Sequence, residues 1–180
     1  MIIIKKTRVI LKTMNRLFLA LSVTLFDYQN LQDDFEHIIQ GKWIPVQNLH
    51  LTLKFFAGQF EKEFLIERLS ELNLQVEPSC LKGLELFEDG LVLYAKTQNP
   101  SILALHREVE KALMLSSAQE FTPHVTLMRI KKIHHRTLFE KRLRLYNEKL
   151  LGKVEPKIEL IQSTLTPEGA KYTSIKVFSN

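Results

Sequence analysis

Apolar residues along the chain repeat with two different periods, and the changes between them mark out the elements. Residues 16–23 form a nearly continuous apolar run, which reads as a strand buried on both faces. Leu31, Phe35, Ile38 and Ile39 then recur at helical spacing, with Gly41 as the expected stop. Strict alternation returns over 49–56, and Phe64, Leu65, Leu69 and Leu72 mark a helix over about 61–73. The Glu88-Asp89-Gly90 turn between Leu84–Phe87 and Leu91–Ala95 predicts a hairpin. Pro100 and Ser101 open a helix with Ile102, Leu105, Val109 and Leu113 on one face. A strand over 124–130 precedes a basic helix near 135–150, in which Phe139, Leu143, Tyr146 and Leu150 face inward. Strands over about 154–164 and 171–178, flanking Thr166-Pro167-Glu168-Gly169, close the chain. This order, with no Gly/Ser linker or low-complexity tract, predicts one α+β domain with a mainly antiparallel sheet.

Two of the predicted strands carry the same four-residue pattern. His50-Leu51-Thr52-Leu53 returns as His124-Val125-Thr126-Leu127. Alternation sends an imidazole and a hydroxyl to one face of each strand and two aliphatic side chains to the other. Brought together, the two faces would supply two histidines and two hydroxyl donors. That set suits hydrolysis of a cyclic phosphodiester. One imidazole takes a proton from water, the other gives one to the departing ribose oxygen, and hydroxyls bind the charged phosphate oxygens. No metal or other cofactor is required.

Charge and composition narrow the picture without deciding it. The formal charge is +5, but Lys5, Lys6, Arg8 and Lys12 lie in an acid-free first thirteen residues, and the remainder is nearly neutral. A second basic stretch runs from Arg129 through Lys131, Lys132, Arg136, Lys141 and Arg142 to Arg144, relieved only by Glu140. It reads either as a solvated helix face or as a local attraction for RNA phosphates. No segment is apolar for the ~18 residues of a membrane span, so no membrane partner is expected. The single cysteine, Cys80, excludes an internal disulfide, fits a reducing cytoplasmic setting and has no recognisable base partner. Leu17–Phe26 after a basic start resembles a secretory leader, but it lacks a small-residue cleavage site and reads better as a core strand.

The two motifs in their surroundings resemble the 2H phosphoesterase superfamily, in its RNA 2′,3′-cyclic phosphodiesterase branch, historically called 2′–5′ RNA ligases. The resemblance rests on Arg16–Ala20, on Lys42–Phe55, on Phe121–Arg129 and on Ser163–Tyr172, in order over about 14–178. It implies a bilobal fold with two mainly antiparallel sheets and outer helices around a central groove. It also implies hydrolysis of a terminal 2′,3′-cyclic phosphate on RNA to a 2′-phosphate, with reversible 2′–5′ RNA ligation as a further activity. By the resemblance His50 is the proton donor to the leaving 3′ oxygen and His124 activates water. Thr52 and Thr126 hold the phosphate, and Arg129 contacts substrate. Strict alternation, however, sets Arg129 on the face opposite His124, so it reaches the groove only if the strand bends or ends there.

Residues 1–13 precede the usual family start, so 14–180 is expected to be the domain and 1–13 an extension or a misplaced start. A monomer is expected. Tyr94 stands where members often carry tryptophan, which could alter base stacking. Trp43 and Phe56 flank the first motif and are read either as base-stacking or as core residues. His37 and His106, in predicted helices, are read as surface or core residues, and His134 and His135 are assigned to a helix end that could touch RNA. The same four motif residues would equally serve small cyclic nucleotides, 2′–5′ oligonucleotides or an RNA-end binding protein without turnover.

Overall fold

A computed structural model describes residues 16–116, 120–167 and 169–179; the expected extension over residues 1–13 lies outside them. Nine strands join in one hydrogen-bonded sheet, and four helices cover it. The strands are β1 (Arg16–Leu25), β2 (Ile39–Trp43), β3 (His50–Phe55), β4 (Ser79–Lys82), β5 (Leu84–Phe87), β6 (Val92–Lys96), β7 (His124–Ile133), β8 (Leu150–Thr166) and β9 (Gly169–Ser179). The helices are α1 (Tyr28–Asp34), α2 (Lys62–Ser70), α3 (Pro100–Ala112) and α4 (Arg136–Tyr146). Every strand pairing is antiparallel.

The two lobes meet at a narrow junction. The main path runs β4-β8-β1-β3-β7-β6-β5, with β9 added to β8 and β2 added to β7. Between β3 and β7 the ladder consists of one pair, Leu51 with Val125. The expected pair of sheets is thus present as two lobes whose hydrogen bonding continues through this single contact. Leu17–Leu21 of β1 are all buried, because β3 and β8 flank this strand on either side. The leader-like stretch is therefore a central strand.

The helices sit where their apolar stripes require. Leu65, Leu69, Ile102, Leu105 and Val109 from α2 and α3 join Leu51 and Leu53 in the core. On the other lobe Phe35, just beyond α1, packs its ring 5.9 Å from both Phe139 and Tyr146 of α4. Asn99 caps α3, its side-chain oxygen accepting from the Ser101 amide at 2.9 Å, and Pro100 occupies the first turn.

Several boundaries differ from the sequence expectation. The first helix ends at Asp34, and His37 adopts a positive φ of 61°. Gly41, expected to stop that helix, lies instead in β2, where a Cβ would stand 2.2 Å from the Arg129 carbonyl oxygen. Only glycine permits so close a backbone approach. The short strands β2 and β4 were not legible, since they lack the hairpin turn that marked the equally short β5 and β6. Leu150, expected on the inner face of the basic helix, begins β8 and is exposed. The irregular pairing of β8 with β1 between Val154 and Ile158 brackets Pro156, where a missing N–H is tolerated.

Candidate active site

Leu51 and Val125 are both fully buried, so the alternating His50, Thr52, His124 and Thr126 turn to the opposite face. There all four line one groove of about 1090 Å³. Antiparallel pairing of Leu51 with Val125 sets His50 across from Thr126 and Thr52 across from His124. The motifs are therefore related by a local two-fold axis through the Leu51–Val125 pair.

Each imidazole is held in the same way. His50 Nδ1 lies 2.7 Å from the Asn48 carbonyl oxygen, and His124 Nδ1 lies 2.7 Å from the Thr122 carbonyl oxygen. A carbonyl only accepts, so each Nδ1 carries the hydrogen, and in the neutral ring Nε2 bears the lone pair. A pair of mutually contacting aromatic side chains packs against each ring. Phe18 and Tyr172 stand 4.9 and 5.3 Å from His50, and Phe87 and Tyr94 stand 4.9 and 5.3 Å from His124. Burial pushes both histidines below the ordinary value of 6.5, against the opposing effect of the backbone bonds. The His124 charge adds to the depression at His50.

A β-bulge at the fourth motif position resolves the conflict over Arg129. Pairing of β1 with β3 steps from Leu19–Lys54 to Ala20–Thr52, leaving Leu53 as the extra residue. Pairing of β6 with β7 steps from Leu93–Met128 to Tyr94–Thr126, leaving Leu127 extra. Each bulge reverses the alternation downstream. Arg129 thereby joins the face of His124 and lines the groove, and Phe55 does the same beyond His50. Buried donors from the helical layer hold both bulge carbonyls. His106 Nδ1 of α3 lies 2.8 Å from the Leu53 oxygen. The Tyr28 hydroxyl of α1 is shared between the Ile44 oxygen at 2.9 Å and the Leu127 oxygen at 3.1 Å, and the latter also accepts from the Ile44 amide at 2.8 Å.

Arg16, Lys42, Arg129 and Lys171 also line the groove, and no acidic residue does among those described. Such a surface attracts an extended anion. The site can therefore grip a phosphate, give it one proton and take another.

No protein-family model matches the chain. It is 33% identical over 165 residues to an RNA 2′,3′-cyclic phosphodiesterase of Aquifex aeolicus, spanning 83% of this chain and 87% of the relative. It is 30% identical over 176 residues to the protein of that name in Methanocaldococcus jannaschii, spanning 89% of this chain and 98% of the relative. The chain belongs to the RNA 2′,3′-cyclic phosphodiesterase family of 2H phosphoesterases. The fold agrees: the crystal structure of E. coli LigT in apo form matches 92% of this chain and 96% of its own, with a TM-score of 0.68 at 18% identity.

Other expectations for this family member fare differently. Tyr94, considered for base stacking, is buried behind His124 and donates its hydroxyl to Glu85 at 2.7 Å. Phe56 is wholly buried, and Trp43 packs against Tyr28 and Phe35 instead of lining the groove. His37 is exposed, whereas His106 is buried and stacks 4.0 Å from Phe121. His134, His135 and Cys80 are exposed and lie outside the groove. The basic run divides. Arg129 reaches the groove, while Arg136 pairs with Glu88 and Glu140 and Arg142 pairs with Asp34. Its helical part is a solvated, ion-paired face.

Sequence reasoning missed Phe18, Phe55 and Tyr172 as parts of the site. All three lay inside segments that resembled the family, but a lone aromatic in a strand carries no signal of its own. Lys42 and Lys171 arrive from the unrecognised β2 and from the closing hairpin. Asn48 anchors that hairpin to the His50 loop, its amide donating to the Ala170 carbonyl at 3.0 Å.

Proposed function

We propose that this chain hydrolyses the 2′,3′-cyclic phosphate at RNA 3′ ends to a 2′-phosphate by acid–base catalysis between His50 and His124, without a metal. The names of its relatives support the reaction. The observation that carries the mechanism is the pair of imidazoles on one groove, both tethered through Nδ1 so that both Nε2 atoms remain available. His124 Nε2 takes a proton from water as its oxygen attacks phosphorus. His50 Nε2–H gives a proton to the 3′ oxygen as the P–O3′ bond breaks. Thr52 and Thr126 donate hydrogen bonds to the non-bridging oxygens, and Arg129 offsets their charge. With an RNA 5′-hydroxyl in place of water as the attacking oxygen, the same steps would form a 2′–5′ linkage, and cleavage of that linkage is their reverse.

A groove of about 1090 Å³ with four cationic side chains favours an RNA end over a small cyclic nucleotide, since it exceeds what one nucleotide fills. One chain supplies both histidines, so the site is complete in a monomer. No helix among the described residues is long and apolar enough to cross a membrane, and a free exposed Cys80 suits the reducing cytoplasm.

The test is hydrolysis of an oligonucleotide ending in a 2′,3′-cyclic phosphate by the wild type, His50→Ala and His124→Ala. Each substitution is expected to lower the rate ~10²-fold or more, with chelator having no effect on the wild type. Full activity in either variant would overturn the mechanism. Absence of hydrolysis by the wild type would overturn the function.

A further inference from the structure

The inner site is nearly symmetric. His, Thr, backbone tether, packed aromatic pair and bulge all recur in both halves. A two-fold arrangement does not by itself choose which histidine is the acid or which ribose oxygen leaves. A cyclic phosphate also has two ester oxygens of similar character, one on each side of its phosphorus. Something outside the motifs must break the tie.

The halves diverge five residues past each histidine, at the first groove-facing position beyond the bulge. One half carries Phe55, a 45% exposed ring with the Arg16 guanidinium 5.8 Å from its centroid. The other carries Arg129, whose strand neighbour across β2 is Lys42. One arm thus presents an aromatic ring with a single guanidinium, Arg16, over it, and the other two adjacent cations, Arg129 and Lys42, with no ring. A nucleoside has a π-face that stacks on an aromatic ring, whereas charged phosphate oxygens are drawn to a guanidinium.

Resting on the cyclic-phosphate reading above, we propose that the Phe55–Arg129 difference sets the direction in which the cyclic phosphate lies across the histidines, and thereby which ribose oxygen departs. The nucleoside lies against Phe55, on the His50 side, and Arg129 draws the phosphate oxygens toward His124. The departing ribose oxygen then faces His50, and water enters from the His124 side. The balance is that of hydrolysis. One P–O ester bond breaks and one P–OH forms, with one proton taken by His124 and one released by His50.

The experiment measures the ratio of 2′- to 3′-phosphate products from a cyclic-phosphate oligonucleotide, with enzyme in excess over substrate. It compares the wild type, Phe55→Leu, Phe55→Ala and the exchange Phe55→Arg/Arg129→Phe. Both side chains are exposed, and Phe55→Leu keeps the apolar volume while removing the flat face. The wild type is expected to form the 2′-phosphate. Loss of the stack is expected to lower the product ratio roughly ten- to hundred-fold, and the exchange to lower it further. Competition by 2′-AMP against 3′-AMP gives a second readout free of turnover, and the wild-type preference between them should collapse in Phe55→Leu. An unchanged product ratio and an unchanged preference in all variants would overturn the assignment and leave the cyclic phosphodiesterase reading intact. A wild type that leaves the cyclic phosphate unopened would overturn both.

Discussion

Leu51 and Val125 face each other as the ladder pair joining β3 to β7, and both are completely buried. This contact does two things. It seals the core beneath the groove, and its register brings both histidines to one surface. A slip of one residue on either strand would carry that strand's His and Thr to the buried face.

Leu51→Ala should therefore affect both fold and activity. Truncating a fully buried leucine is expected to cost about 2–5 kcal/mol in denaturant unfolding. Activity should fall even where the variant remains folded, because the junction that aligns the histidines has lost its packing. Unchanged turnover in a destabilised variant would show that the register is held elsewhere.

Thr52→Val and Thr126→Val remove a hydroxyl from the groove face while keeping the strand's β-branched shape. Each is expected to lower kcat by about 10²-fold, the scale for a lost donor to transition-state charge. Melting temperatures should stay near the wild-type value. A rise in KM alone would assign the hydroxyls to ground-state binding instead.

Burial depresses the folded-state values of His50 and His124, which has a kinetic and a thermodynamic consequence. The bell for kcat/KM, which reports the free enzyme, should lie on the acid side of 6.5. The bell for kcat should lie at higher pH, because bound phosphate favours the imidazolium. For stability, the unfolded chain binds more protons between the folded values and 6.5, so stability rises with pH through that window. Acidifying from pH 7 should lower the melting temperature, less steeply in a His50→Ala/His124→Ala variant. Equal slopes would contradict the burial effect.

Gly41→Ala would drive a Cβ to 2.2 Å from the Arg129 carbonyl oxygen, against backbone that cannot yield cheaply. A loss of about 1–3 kcal/mol is expected from the forced displacement of β2. Because β2 pairs directly with the strand segment carrying Arg129, KM for RNA should rise as well. Calorimetry with steady-state kinetics tests both.

His106→Phe keeps a ring against Phe121 but leaves the Leu53 bulge carbonyl without its donor. A cost of about 1–3 kcal/mol is expected for that orphaned acceptor. The Phe55 face should then lose definition, visible as broadened or shifted ring resonances. Tyr28→Phe, which removes a hydroxyl that burial pushes up to about 12 and keeps a donor, should cost less, because the Leu127 oxygen retains the Ile44 amide.

The periodicities and the repeated His-x-Thr pattern were enough to read the α+β class, the four helices, the two motif strands and the four groove-facing motif residues. These are local properties. Side-chain alternation and helical spacing are set by each residue's own neighbours in the chain, so they are written in it directly. Arg129 was the instructive failure of that local rule. Alternation counted from His124 assigned it to the buried face, and only the extra residue at Leu127 reverses the count. A bulge exists only relative to a partner strand, so no single segment announces it. The aromatic pairs beside the histidines, β2 beside β7, the Phe55–Arg129 pair and the groove's cations likewise come from elements distant in sequence. The chain by itself determined which motif side chains share a face of their strand. Tertiary pairing decided which of them meet, because register between strands is a relation that one strand does not contain.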